Sequence, residues 1–203
     1  LAEAGVIVSL GHTDADYATC LSYAEAGAAC VTHLFNAMSQ LGSREPGLVF
    51  EAHSTDYQGT AALSDLVADG FAILKVGPEL TFVLREALYA LDLIASDLVP
   101  EYGDRPLMAA METAMRTDPG HWQRHYPGDP AVQRFLRHYS LSDRIRYYWP
   151  APAAQAAVAR LFDTLNGRMI PLPLIWQHLP GGDALADTPL NPEEVVIQRV
   201  RRS

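Results

Sequence analysis

The chain has 203 residues, about half of them apolar (49%), and a formal net charge of −9. That is enough apolar material for one folded domain, or one and a fraction, and too much for a disordered chain. The acidic balance argues against a nucleic-acid surface, because the few clustered cations sit at the end, Arg199 to Arg202, where they read as a solvated helix end. No apolar run approaches the roughly 18 residues that a membrane span needs, so no membrane role is expected. Two cysteines, Cys20 and Cys30, make neither a metal pair nor a disulfide framework, and a reducing cytoplasm is the simplest home. The chain begins at Leu1, with no signal peptide before the first strand, and is expected to be a fragment or truncated gene product.

In chain order, Gly5 to Leu10 is an apolar strand ending in Gly11-His12-Thr13-Asp14, where Thr13 or Asp14 can cap the next helix. Small and apolar residues from Tyr17 to Ala26 suit that helix, and Gly27 closes it. A second strand, Ala29 to Leu34, carries His33. The result is a βαβ unit with His12 and His33 at equivalent strand ends. Two imidazoles so placed can share a zinc or iron(II) ion, whereas a lone histidine more often caps a helix or bonds to a loop; spacing leaves both readings open.

Val49 to Gln58 and Phe71 to Pro78 each read as a buried strand running into a polar loop. Between them Ala61, Ala62, Leu63, Leu66 and Val67 recur at helical spacing, which makes Phe50 to Gly77 a second crossover of the length parallel strands require. In such folds functional groups gather where strands end, which would put His53, Asp56 and Lys75 on one face. His53 and Asp56 suit either an anion or metal site or a strand end leading into a helix cap. Lys75 is either a Schiff-base lysine in an apolar wall or the partner of Glu51 on the neighbouring strand.

Beyond Gly77-Pro78, Thr81 to Leu98 is a long amphipathic helix. Helices are also expected over Pro106 to Met115, Val132 to His138, Pro152 to Leu165 and Pro192 to Arg201, with breaks at Asp118-Pro119 and Pro127-Gly128-Asp129-Pro130. From Tyr139 to Pro150, aromatics mix with Asp143, Arg144 and Arg146. The arginines could grip a phosphate, but the favoured reading packs the aromatics against the core while Asp143 pairs with an arginine.

Two resemblances overlay this reading. The stretches Val8-Ser9-Leu10-Gly11-His12-Thr13-Asp14-Ala15, Val31-Thr32-His33-Leu34-Phe35-Asn36-Ala37-Met38 and Arg44-Glu45-Pro46-Gly47-Leu48 resemble the middle of N-acetylglucosamine-6-phosphate deacetylase. That resemblance implies His12 and His33 as metal ligands and Asn36, Ala37 and Arg44 as contacts to a sugar phosphate. The family's metal-binding glutamate and its catalytic aspartate have no counterparts here, which removes much of the metal and proton-transfer chemistry. From Leu48 onward the chain resembles the non-catalytic, barrel-type subunit of class II D-tagatose-1,6-bisphosphate aldolase. This likeness runs through Leu48 to Gln58, Phe71 to Pro78, Leu84 to Leu91, His121-Trp122-Gln123, His125 to Asp129, Tyr139 to Pro150 and Pro171 to Ile175. An older name for that family is putative tagatose-6-phosphate kinase, yet the chain has no Gly-x-x-x-x-Gly-Lys phosphate loop.

The expected fold is therefore α/β: a partial TIM-type barrel of about four βα units followed by a helical carboxyl-terminal region. A boundary is expected at 49/50, between a deacetylase-like fragment (1–49) and an aldolase-subunit-like barrel fragment (50–203). Open strand edges predict self-association. The expected function is an accessory, non-catalytic subunit for tagatose-bisphosphate aldolase in galactitol or N-acetylgalactosamine catabolism, partnered by the catalytic subunit and needing no cofactor. The alternatives are a deacetylase fragment holding a divalent zinc or iron ion, and an inactive fusion of amino-sugar genes.

Overall fold

A computed structural model of the chain describes residues 4–31, 51–52, 55–68, 71 and 73–202. It divides into two compact units, residues 1–76 and 77–203. The boundary expected at 49/50 lies outside the described residues.

In the first unit β1 (Val8–Leu10), α1 (Tyr17–Glu25) and β2 (Ala28–Val31) form a βαβ crossover whose strands pair in parallel, Ser9 opposite Cys30 and Leu10 opposite Val31. Helix α1 is capped by Asp16, whose carboxylate accepts from the Thr19 amide at 2.9 Å. Neither Thr13 nor Asp14 takes that role: Thr13 Oγ1 instead accepts from the Ala15 amide at 3.1 Å, so a side-chain-closed turn delays the helix start. Gly27 follows at φ 96°, the left-handed conformation that ends a helix without a Cβ penalty. A second crossover repeats the arrangement with β3 (Glu51–Ala52), α2 (Gly59–Ala68) and β4 (Ile73–Leu74), Glu51 facing Ile73 and Ala52 facing Leu74 in parallel.

All four strands fall where the apolar runs place them, and the fold is α/β and mostly helical. A barrel is not shown. Among the described residues the strands make two separate pairs, β1 with β2 and β3 with β4, and a closed barrel would need every strand paired on both edges.

The second unit is helical: α3 (Pro78–Leu98), α4 (Pro106–Thr117), α5 (Pro130–Tyr139), α6 (Pro152–Leu165), α7 (Leu172–His178) and α8 (Pro192–Arg201). Five of these helices open on proline, whose fixed φ suits the first turn and whose missing amide proton costs nothing there. That is why α3 begins at Pro78 and α5 at Pro130, slightly ahead of the apolar periodicity. Asp129 caps α5 through the Ala131 and Val132 amides, at 2.9 and 3.0 Å, and Asn191 caps α8 through the Glu194 amide at 3.2 Å. Helix α7 has no counterpart in the sequence reading, which assigns no element to the stretch holding Pro171 and Pro173. They occupy its cap and second position, where no amide donor is needed.

Helix α3 packs on α8, α6 and α7, while α4 packs on α6. The center of this unit is apolar, with Leu91, Ile94, Leu107, Met111, Met115, Leu161, Leu165 and Ile175 essentially inaccessible to solvent. Each such side chain contributes roughly 1.5–3 kcal/mol of burial free energy. No helix among the described residues is long and apolar enough to cross a membrane.

Candidate functional site

The strand ends of the first unit hold three of the residues singled out in the sequence. His12 follows β1 in an exposed turn at φ 49°. After β3, the buried hydroxyl of Thr55 donates to the Lys75 carbonyl at 3.0 Å, tying the loop after β3 to the segment after β4. Asp56, next in the chain, is half-buried, and Lys75 carries an exposed side chain. Parallel pairing thus brings the Thr55-Asp56 loop and Lys75 to the same end of their two strands. His33, Asn36, Ala37, Arg44 and His53 lie outside the described residues. Among the described residues no three His, Cys, Asp or Glu side chains come together to hold a metal ion.

The helical unit contains polar chemistry that periodicity does not reveal. Tyr89 on α3 lies 2.7 Å from His138 Nδ1, and His138 Nε2 lies 3.1 Å from Glu112 on α4. Arg137 closes the chain with a two-pronged grip on the Glu112 carboxylate. Burial pushes His138 down to about 4, so the ring is neutral at neutral pH although the Glu112 carboxylate pulls the other way. A neutral imidazole has one donor and one acceptor, and a carboxylate only accepts. The network therefore assigns the proton to Nε2, which donates to Glu112, and leaves Nδ1 to accept from the Tyr89 hydroxyl. Burial also holds the Tyr89 phenol above its ordinary value, which keeps that proton in place. Burial raises Glu112, yet the hydrogen bond and charge of Arg137, joined by His138, outweigh it and hold the carboxyl below its usual range.

A second buried acid organises the start of α4. Arg105, the residue before that helix, is left-handed at φ 49° and supplies no side-chain cap. Asp92, fully buried on α3, does so from outside: its carboxylate accepts from the Leu107 and Met108 amides at 3.1 and 3.0 Å and from the Tyr102 hydroxyl at 2.7 Å. A negative charge there also meets the positive end of the α4 dipole.

In the Tyr139 to Pro150 stretch the packing reading holds. Asp143 pairs with an arginine, but with Arg85 on α3 (Nε to Oδ1, 3.2 Å) and not with its sequence neighbours. Tyr148 and Trp149 are buried, the Tyr148 hydroxyl donates to the Asp118 carbonyl, and Tyr147 stacks on His121 with ring centroids 5.0 Å apart. Arg146 is spent locally on the Ser142 carbonyl at 2.9 Å and the Tyr147 hydroxyl at 3.1 Å. Two cavities flank the Tyr89–His138–Glu112 chain. One of about 350 Å³ is lined by Arg85, Tyr89 and Arg105, and one of about 500 Å³ by Glu112, Arg116, Arg134 and Arg137.

Parallel βαβ crossovers with polar strand ends, followed in sequence by a helical unit, define an α/β protein. The model of the family described as D-tagatose-1,6-bisphosphate aldolase subunit GatZ/KbaZ-like matches residues 5–203, and the chain belongs to that family. It is 55% identical over 164 residues to a D-tagatose 6-phosphate 4-epimerase of Agrobacterium fabrum (strain C58), a match covering 81% of this chain and 39% of that protein. A crystal structure described as a probable tagatose 6 phosphate kinase from Sinorhizobium meliloti 1021 superposes with a TM-score of 0.70 at 51% identity, covering 76% of this chain and 41% of that one. The chain thus spans about two-fifths of the length of these relatives. Because the family match begins at residue 5, it takes in the segment whose motifs resemble the deacetylase and gives no support to a separate deacetylase fragment there.

Proposed function

We propose that this chain serves in tagatose phosphate metabolism, as an accessory, non-catalytic part of a class II D-tagatose-1,6-bisphosphate aldolase assembly. The observation that carries the reading is the family match across residues 5–203. In this account the two βαβ crossovers are pieces of a TIM-type barrel. Asp56 and Lys75, with His53, Asn36, Ala37 and Arg44, are proposed as sugar-phosphate contacts, since cationic and amide groups suit phosphate and hydroxyl oxygens. The partner is the catalytic aldolase subunit, the setting is the cytoplasm in galactitol or N-acetylgalactosamine breakdown, and the accessory role needs no cofactor. A zinc or iron ion shared by His12 and His33 is a separate part of the proposal, checked by metal analysis of the wild-type chain and of His12→Ala. Among the described residues the strands are short and form two separate pairs, an arrangement that favours self-association or weak docking over a rigid complex.

One observation favours a second reading: the 55% identical relative is itself named a 4-epimerase. On that reading the protein inverts carbon 4 of tagatose 6-phosphate without an aldolase partner. Two measurements separate the readings. Sedimentation of the chain with the catalytic subunit is expected to show association, and carbon-13 NMR of tagatose 6-phosphate with the chain alone is expected to show no fructose 6-phosphate. Epimer accumulating without the partner would replace the accessory role with the epimerase.

A further inference from the structure

The smaller of the two cavities, about 350 Å³ beside α3 and α7, has the size of a small-molecule site. Two cations line it. Arg85 is 3% exposed, spends its Nε on Asp143 and lies over the Phe82 ring at 4.1 Å, while its Nη2, like Asp143 Oδ2, is buried without a hydrogen-bond partner among the described residues. Arg105 Nε is buried in the same state. Both guanidinium groups flank one ring, with their carbons 6.0 and 5.7 Å from the Tyr89 centroid. The Arg105 backbone is held in a left-handed conformation that a non-glycine residue adopts only at a cost, and its amide donates to Ser96 Oγ at 2.9 Å, which fixes where the side chain starts.

The charged groups lining the cavity set Arg85 and Arg105 against Glu86, with His178 beside them, and the buried Asp92 carboxylate lies behind, close enough to act on Tyr89. Asp143 offsets Arg85, Glu86 at the rim pairs with Arg199 at 3.0 Å, and His178 lies 3.4 Å from Asp97. Arg105 makes no ion pair among the described residues. A buried guanidinium donor without an acceptor is costly, and a planar fork matches the oxygens of a carboxylate or phosphate better than any other group.

We propose that this cavity binds a small oxyanion-bearing ligand, a phosphate monoester or a carboxylate, with Arg105 as its main contact, Arg85 Nη2 as the second donor, and Phe82 and Tyr89 walling its carbon body. The site rests on the helical unit alone and on none of the residues named for the proposed function, so the two stand or fall separately.

The test is a titration of the full chain with inorganic phosphate and, separately, with succinate, following the arginine Nε–H signals by NMR. Saturable shifts at Arg85 and Arg105 are expected with at least one anion, and the tighter of the two identifies the ligand class. Arg105→Gln should weaken that binding about tenfold through loss of a charge-assisted donor, whereas Glu86→Gln, which removes a negative charge from the rim, should tighten it several-fold. No saturable shift with either anion overturns the proposal, as does unchanged affinity in folded Arg105→Gln. If Arg105→Gln does not fold, Glu86→Gln decides alone: tighter binding sustains the site, and equal or weaker binding ends it.

Discussion

His138 is a buried base held neutral by its surroundings, and that has a definite acid signature. Its folded-state value, about 4, lies below the ordinary 6.5. The unfolded chain therefore binds a proton that the folded chain refuses over that window, and stability is full above about pH 6.5 and falls as pH drops toward 4. The shift corresponds to about 3 kcal/mol at most. Asp143, which burial pushes upward, works in the opposite direction and loses stability as pH rises through its own range. Urea unfolding at pH 7.5 and pH 4.5 should show a drop of that order in the wild type and a flatter profile in His138→Gln; an equal drop in both would remove His138 as the cause. Asp92 makes the other residue-scale prediction. Asp92→Ala strands two backbone amides at the start of α4 and the Tyr102 hydroxyl, so it should cost about 3 kcal/mol or more in urea unfolding. A cost near that of an exposed Asp→Ala change would contradict the capping role. Neither residue announces itself in the sequence. Asp92 sits in the middle of the amphipathic helix α3, where an acid reads as part of the solvent face, and the partners of His138, Tyr89 and Glu112, are 49 and 26 residues away.

At the scale of elements the periodic parts were readable and the exceptions have local causes. The four strands and α1 to α6 and α8 follow apolar runs at spacing 2 or 3.6, bounded by Gly, Pro, Asp and Asn, which is the information that short-range physics deposits in a sequence. Helix α7 is hidden by prolines that are harmless at a helix start, and the α1 cap falls to Asp16, not to Thr13 or Asp14, because Thr13 closes a turn first. The candidate strand-end residues were readable in position only: sequence puts Asp56 and Lys75 near the ends of paired strands, but the Thr55 hydroxyl that ties those segments together bridges 20 residues. The packing of α6 on α4 supplies an element-scale test, since Leu161 is fully buried there. Leu161→Ala should cost about 2–5 kcal/mol, the range for a core leucine that leaves a cavity. A loss below about 1 kcal/mol in thermal or urea unfolding would mean that this face is not packed as described.

At the scale of the molecule, the family match covers residues 5–203 while the chain spans about two-fifths of its relatives' length. A part of that extent brings two crossovers and a helical unit with its own core. The rate of tagatose 1,6-bisphosphate cleavage by the class II catalytic subunit, measured with and without the chain, is the most direct test. Increased cleavage that saturates as the chain is added, and that the chain alone does not catalyse, is the predicted result. An unchanged rate with a chain that is folded and monodisperse would contradict the accessory role.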